Sequence, residues 1–289
     1  MTEAQEQSAP EQSSKKPSSG ELSRWLVALI LLPPTIFSIF FPNKTVLLIW
    51  TAAIGTMAWR EYCLNLLGRE RLGLFALACL GLYATLAGTA YFGPDGQTFG
   101  LATALALGAA YFIHILNPEQ DRISVNVVSR YALGHLYLTF FLSFIMHIKD
   151  LDHGSSWLLF VILITSLNDT GAFYFGSRLK GPKLAPKVSP KKTISGLLGG
   201  CLVASVAAGF SRYYLPVSFT WKELAALGLF LGMWGTFGDL FESAFKRAMG
   251  VKDTSNILRG HGGFWDRLDS MLFNLPPVYF YVTWQTMPS

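Results

Sequence analysis

The chain has 289 residues, 51% hydrophobic and only 14% charged, and its mean hydropathy is positive. Soluble domains carry about a quarter charged residues, so a water-exposed globule is excluded and a membrane protein is expected. The net charge of +5 calls for no nucleic-acid partner, because an excess of Lys and Arg on one membrane face accounts for it.

In chain order, residues 1–22 are rich in Ser, Gln, Glu, Lys and Pro and lack apolar periodicity, which predicts a disordered tail. The apolar run behind them has no small-residue cleavage pattern, so it is expected to persist as a span and not to be removed as a signal. A helix needs about 20 mostly apolar residues to cross the hydrocarbon core. Nine stretches approach that length: 25–41, 46–67, 72–92, 98–116, 131–148, 157–176, 194–215, 224–245 and 270–284. The expected fold is all-α, a polytopic integral membrane helical bundle of about nine transmembrane helices over residues 23–289. The first and last stretches contain Pro33-Pro34 and Pro276-Pro277, which leaves re-entrant segments or paired half-helices open there. Cys63, Cys79 and Cys201 fall inside spans without C-x-x-C spacing and read as small buried hydrophobes.

With nine spans, 18 of the 23 basic residues lie on the side of the N-terminus, while Lys44, Lys149 and Lys222 lie opposite. Arg60 and Arg212 sit in or at the edge of spans. Lys and Arg bias short loops toward the cytoplasm, so the N-terminus is placed inside and the C-terminus outside.

Acidic side chains in spans are costly, and function is the default reason to keep them. Glu61, Asp169, Asp239 and Glu242 lie toward the cytoplasmic ends of their spans, and Asp266 and Asp269 precede the last one on the same side. Glu61 stands beside Arg60 and either belongs to the site or pairs with that arginine, pairing being the preferred reading. Asp239, Glu242, Ser243 and Lys246 fall at i, i+3, i+4 and i+7, which makes one helical stripe; a simple Glu242 to Lys246 pair competes with a functional reading. The loop that follows offers Lys246, Arg247, Lys252 and Arg267 as cations, His261-Gly262-Gly263 for close backbone approach, and Asp266 with Asp269 as hard oxygen ligands. Cations and carboxylates together suit a polyphosphate carried with magnesium. Upstream, Ser189, Lys191, Lys192 and Thr193 precede a helix start and read as a second anion site, the competing reading being that the lysines only mark the cytoplasmic side. No Walker A glycine loop is present, which disfavours a P-loop ATPase.

The segment from Ser243 to Asp269 resembles the signature of the phosphatidate cytidylyltransferases, or CDP-diacylglycerol synthases. Ser243, Phe245, Lys246-Arg247, Lys252-Asp253, Ser255, Leu258, His261-Gly262-Gly263-Phe264 and Asp266-Arg267-Leu268-Asp269 stand where that pattern has them. Asn168-Asp169, Ala172-Phe173, Gly176 and Ser189 to Thr193 with Gly196 also match. Arg259 departs from the small residue or Pro usual two places before the histidine, which bears on substrate preference. The likeness covers the C-terminal half, and residues 157–289 are expected to be the catalytic part.

The resemblance implies transfer of CMP from CTP to phosphatidic acid, giving CDP-diacylglycerol and pyrophosphate, with Mg2+ as cofactor. By that analogy Asp239 and Asp266 are the expected magnesium ligands, with Asp169 and Asp269 in support. Asp239, Asp266, Lys246, Arg267 and His261 are the catalytic candidates, His261 as phosphate donor, proton shuttle or turn-forming residue. Lys191, Lys192, Ser189, Thr193, Ser243, Arg247, Lys252, Gly262 and Gly263 are the substrate-binding candidates. The implied setting is a bacterial inner membrane with the site on the cytoplasmic face, the partners being CTP and phosphatidic acid; homodimer assembly is left open. A CTP-dependent polyprenol kinase or related CDP-lipid synthase is the competing enzyme, and an ion-coupled transporter the competing non-enzyme.

Overall fold

A computed structural model describes residues 19–67, 72–93, 96–115, 124–215, 219–255, 257 and 262–287. Most of the expected tail, 1–18, lies outside them, while residues 19–22 form the first turn of α1. The helices are α1 (Ser19–Phe40), α2 (Lys44–Tyr62), α3 (Leu72–Phe92), α4 (Gly96–Ile115), α5 (Ser124–Gly134), α6 (Phe141–Lys149), α7 (Gly154–Leu179), α8 (Ile194–Phe210), α9 (Trp221–Ala248) and α10 (Asp269–Thr286). A π-helical turn, Cys63–Leu67, continues α2, and a second, His135–Phe140, joins α5 to α6. The all-α class is as expected, and each of the nine apolar stretches coincides with helix.

Among the described residues five helices are both long and apolar enough to cross a membrane: Gly73–Phe92, Asn126–Lys149, Gly154–Leu179, Ile194–Tyr213 and Trp221–Ala248. Shorter apolar segments occupy Leu29–Phe40 and Gly100–Phe112. Both Pro pairs lie inside continuous helices, α1 and α10, so neither terminal span is divided into half-helices. The three cysteines are free, Cys63 and Cys201 being buried.

A feature absent from the sequence reading is a small antiparallel hairpin between α7 and α8, with β1 (Lys183–Ala185) paired to β2 (Ser189–Thr193). It begins after Lys180 and Gly181, both at positive φ (55° and 102°), which turn the chain back at the end of α7. Thr193 ends β2 and caps α8, its Oγ1 accepting from the Gly196 amide at 3.1 Å. At the opposite end of the bundle a capping box of Thr220 and Glu223 starts α9, satisfying amides that a helix end leaves free.

α7 packs on α8, α8 on α9 and α9 on α10. Lipid gives little hydrophobic drive between helices, so close backbone contact through small residues must supply it. Gly228 of α9 faces Ala204 and Ala208 of α8 so closely that a Cβ would clash, and Gly200 and Gly232 close around the Asn168 side chain. Asn168 Nδ2 donates to Thr236 Oγ1 at 3.4 Å, tying α7 to α9. A fully buried aromatic cluster joins the two halves: Tyr62 of α2 lies 5.1 Å from Trp265, which lies 6.1 Å from Tyr137.

The ends of the bundle differ in chemistry. At one, Lys44 bonds Asp150 at 2.9 Å and Lys149 donates to the Ile39 carbonyl at 2.6 Å. At the other, α7, the hairpin, α8, α9 and α10 bring together the acidic and basic residues singled out in the sequence.

Candidate active site

The hairpin carries Lys191 and Lys192 against α9. Lys192 Nζ pairs with Asp239 Oδ2 at 2.5 Å, and Asp239 Oδ1 accepts from Ser243 Oγ one helical turn on, at 3.3 Å. The stripe predicted on α9 is therefore real, and it divides. Glu242 and Lys246 turn into the protein, with Glu242 fully buried. Lys246 Nζ stands 2.9 Å from Glu242 Oε1 and donates to Asp266 Oδ1 at 2.7 Å. A buried cation between two carboxylates balances much of the charge that burial would otherwise penalise.

The loop after α9 folds around two carboxylates. Asp266 Oδ2 accepts from the Gly263 amide (2.7 Å), the Thr254 amide (3.0 Å) and Thr254 Oγ1 (2.9 Å). Burial by itself would raise its pKa; the hydrogen bonds from Lys246 and the Gly263 amide, with the lysine's positive charge, help to outweigh that and hold the carboxyl down at about 2. Glu61, reaching in from α2, is fully buried. It accepts from Ser255 Oγ (2.6 Å), Phe264 N (3.0 Å), Trp265 N (2.9 Å) and Thr254 Oγ1 (3.0 Å). Gly262 adopts φ 79°, a conformation suited to glycine. A Cβ there would run into the Asp266 carboxylate, and one at Gly263 into Glu61 and Thr254.

Between hairpin, α7, α9 and α10 lies a cavity of about 740 Å³. Asp169, Asp239 and Asp269 face it together with Lys191, Lys192 and Arg267, while Ile162, Phe173, Leu197 and Met271 make its apolar side. Asp239 and Asp266 both border this one cavity, as the sequence reading required. Among the described residues no three or more His, Cys, Asp or Glu side chains are grouped closely enough to form a complete metal cage.

Carboxylates, cations and apolar side chains therefore share this one cavity. Residues 22–285 fit the model of the cytidylyltransferase family. The chain belongs to that family. Similar proteins include the phosphatidate cytidylyltransferase of Bacillus subtilis (strain 168), 32% identical over 212 residues that make up 72% of this chain and 77% of that protein. Those of Staphylococcus aureus (strain COL) and Staphylococcus epidermidis are 39% and 40% identical over 135 residues, 47% of this chain and 52% of theirs.

In this cytidylyltransferase-family chain, Asp169, Asp239, Asp266, Asp269, Lys191, Lys192, Thr193 and Arg267 reach the cavity lining. Ser243 stands behind Asp239, and Lys246 behind Asp266. Arg247 is turned away, donating to the Val188 and Val251 carbonyls at 3.3 and 3.1 Å. Ser189 pairs across the hairpin with Ala185, and Lys252 is exposed on the loop; neither borders the cavity. His261, with Leu258 and Arg259, lies outside the described residues. The Gly263 amide, expected to approach a ligand, is occupied by Asp266, and the glycine pair instead lets the loop close on its carboxylates.

Glu61 corrects the sequence reading. Its carboxylate holds the loop, whereas Arg60 points to the exposed side. Successive helix residues do not face each other, which argues against an Arg60 to Glu61 pair even from sequence. Asn65 and Thr254 were missed altogether; their polarity is unremarkable, and only contacts across 189 residues reveal them, Asn65 Nδ2 donating to the Thr254 carbonyl at 2.8 Å.

Proposed function

We propose that the protein is a phosphatidate cytidylyltransferase acting from the cytoplasmic face of the membrane. The observation that carries the reading is the shared cavity lined by Asp169, Asp239 and Asp269 together with Lys191, Lys192 and Arg267, within a chain of this family. Its cations belong to the hairpin and the segment before α10, the two most basic loops on the side assigned to the cytoplasm by the Lys and Arg distribution. A soluble nucleotide and a lipid phosphate thus approach from their own phases.

The reaction joins two anions. An oxygen of the lipid phosphate attacks the α-phosphorus of CTP, the new P–O bond forms, the α–β bridge breaks, and pyrophosphate leaves with the electron pair. A phosphate monoester is already nucleophilic near neutral pH, so orientation and charge neutralisation supply most of the catalysis. Lys191, Lys192 and Arg267 bind the phosphate oxygens, and the apolar wall keeps the acyl chains in lipid.

The donor set fits magnesium, which needs few protein carboxylates because it keeps water and phosphate oxygens in its shell. We assign it to Asp239 and Asp269, with Asp169 in support. Asp266 is assigned to the scaffold in preference to the metal, since it already accepts four hydrogen bonds, from Lys246, Thr254 N and Oγ1, and Gly263 N, against two partners at Asp239. When bound, the ion would offset the phosphate charge. Lys192 pairs with Asp239, and a substrate phosphate offers that lysine a second anion.

The purified chain in bilayers, given phosphatidic acid, magnesium and CTP labelled at either the α- or the γ-phosphate, is expected to transfer only the α label to lipid. Chelation should abolish the product and added magnesium restore it. Transfer of the γ label would establish a lipid kinase instead.

A further inference from the structure

We propose that Glu61, seconded by Asn65, is a positioning residue that mounts the catalytic wall of the cavity on α2; for its kinetic consequence this rests on the function proposed above. The wall consists of Asp266, Arg267 and Asp269, which border the cavity, and it follows directly on residues 262–265. The Phe264 and Trp265 amides end on Glu61 Oε1 and Oε2 at 3.0 and 2.9 Å, and each oxygen also accepts a hydroxyl, Ser255 Oγ at 2.6 Å and Thr254 Oγ1 at 3.0 Å.

Thr254 is the bridge, since its Oγ1 also lies 2.9 Å from Asp266 Oδ2. The π-helical turn Cys63–Leu67 begins just beyond Glu61 and carries Asn65, whose Nδ2 spans the Glu61 and Thr254 carbonyls at 2.8 Å each. Such turns recur at functional sites because they redirect side chains. Trp265 then packs on Tyr62 at 5.1 Å, so the same helix grips the loop by hydrogen bonds and by an aromatic contact. Of the three cations assigned to phosphate, Arg267 belongs to this wall, while Lys191 and Lys192 stand on the hairpin outside it. The mount should therefore govern turnover more than nucleotide binding.

Because each Glu61 oxygen receives one backbone N–H, Glu61→Gln must set its own NH2 against one of them, while Glu61→Asp keeps both acceptors one methylene short. In the full chain in bilayers, Glu61→Gln is expected to lower kcat by on the order of 10- to 100-fold, the scale of small misplacements of reacting groups, with KM for CTP changed less than about threefold. Glu61→Asp should recover part of the loss. Asn65→Ala, which leaves the carboxylate in place, should shift kcat in the same direction by less, and it decides the matter if Glu61→Gln does not fold. Amide exchange should rise in peptides covering residues 254–265 and stay unchanged in α7 to α9.

Wild-type kcat in Glu61→Gln and Asn65→Ala, or exchange raised evenly across the bundle, overturns the mount. Absence of cytidylyl transfer by the wild type overturns the proposed function instead, and the exchange measurement still judges the mount.

Discussion

Two basic segments border the site, the hairpin of residues 183–193 and the loop of residues 249–268, and they use their donors in opposite ways. The hairpin sends Lys191 and Lys192 to the cavity. The loop turns inward: Lys246, at its root, lies between Glu242 and Asp266, and the amides of residues 263–265 are consumed by Asp266 and Glu61. Of the loop's signature cations, Arg267 borders the cavity. A motif dense in charge is thus partly a binding surface and partly its own scaffold, and the way to tell is to count which donors and acceptors are already paired.

The sharpest way to break that contrast is to compare two aspartates. Asp239→Asn should reduce cytidylyl transfer by on the order of 100- to 1,000-fold, as loss of a single electrostatic contact to the reacting centre does, and leave the thermal unfolding midpoint close to wild type. Asp266→Asn should lose activity and also about 3–5 kcal/mol of stability, because a buried Lys246 and several donors lose their anion. Equal stability of the two variants in thermal unfolding would refute the division.

Gly263→Ala comes next. Its methyl group meets Glu61 and Thr254, and overpacking at such a contact costs about 1–3 kcal/mol. Limited proteolysis should cut within residues 254–265 sooner than in wild type.

A smaller effect is expected on the hairpin. Lys191→Ala removes a charged donor worth about 1.5–3 kcal/mol in a phosphate contact, which should raise KM for CTP about tenfold or more and flatten its salt dependence, with unfolding unchanged. Lys252→Ala, exposed and away from the cavity, should alter KM less than about twofold.

The smallest effect concerns pH. The Asp266 carboxyl is depressed from 3.8 to about 2, so its stabilising contribution is fully present above pH 3.8 and is lost only as pH falls through about 2. Loop protection in amide exchange, corrected for intrinsic rates, should therefore be the same at pH 8 and pH 5.

From the amino-acid order alone came the helical bundle, the apolar stretches that coincide with helices, the α9 stripe and the spacing that marks the family. These are legible because hydropathy and helical periodicity depend on neighbours a few positions apart. Tertiary structure decided the rest. It kept α10 whole through Pro276-Pro277, built the hairpin that brings Lys192 to Asp239, and spent Asp266 on the loop while leaving Asp239 at the cavity. It also gave Glu61 partners about 200 positions away, at Thr254 and Trp265. Whether a carboxylate binds a ligand or a backbone amide depends on which donors the fold delivers to it, and the residue type is identical in both cases.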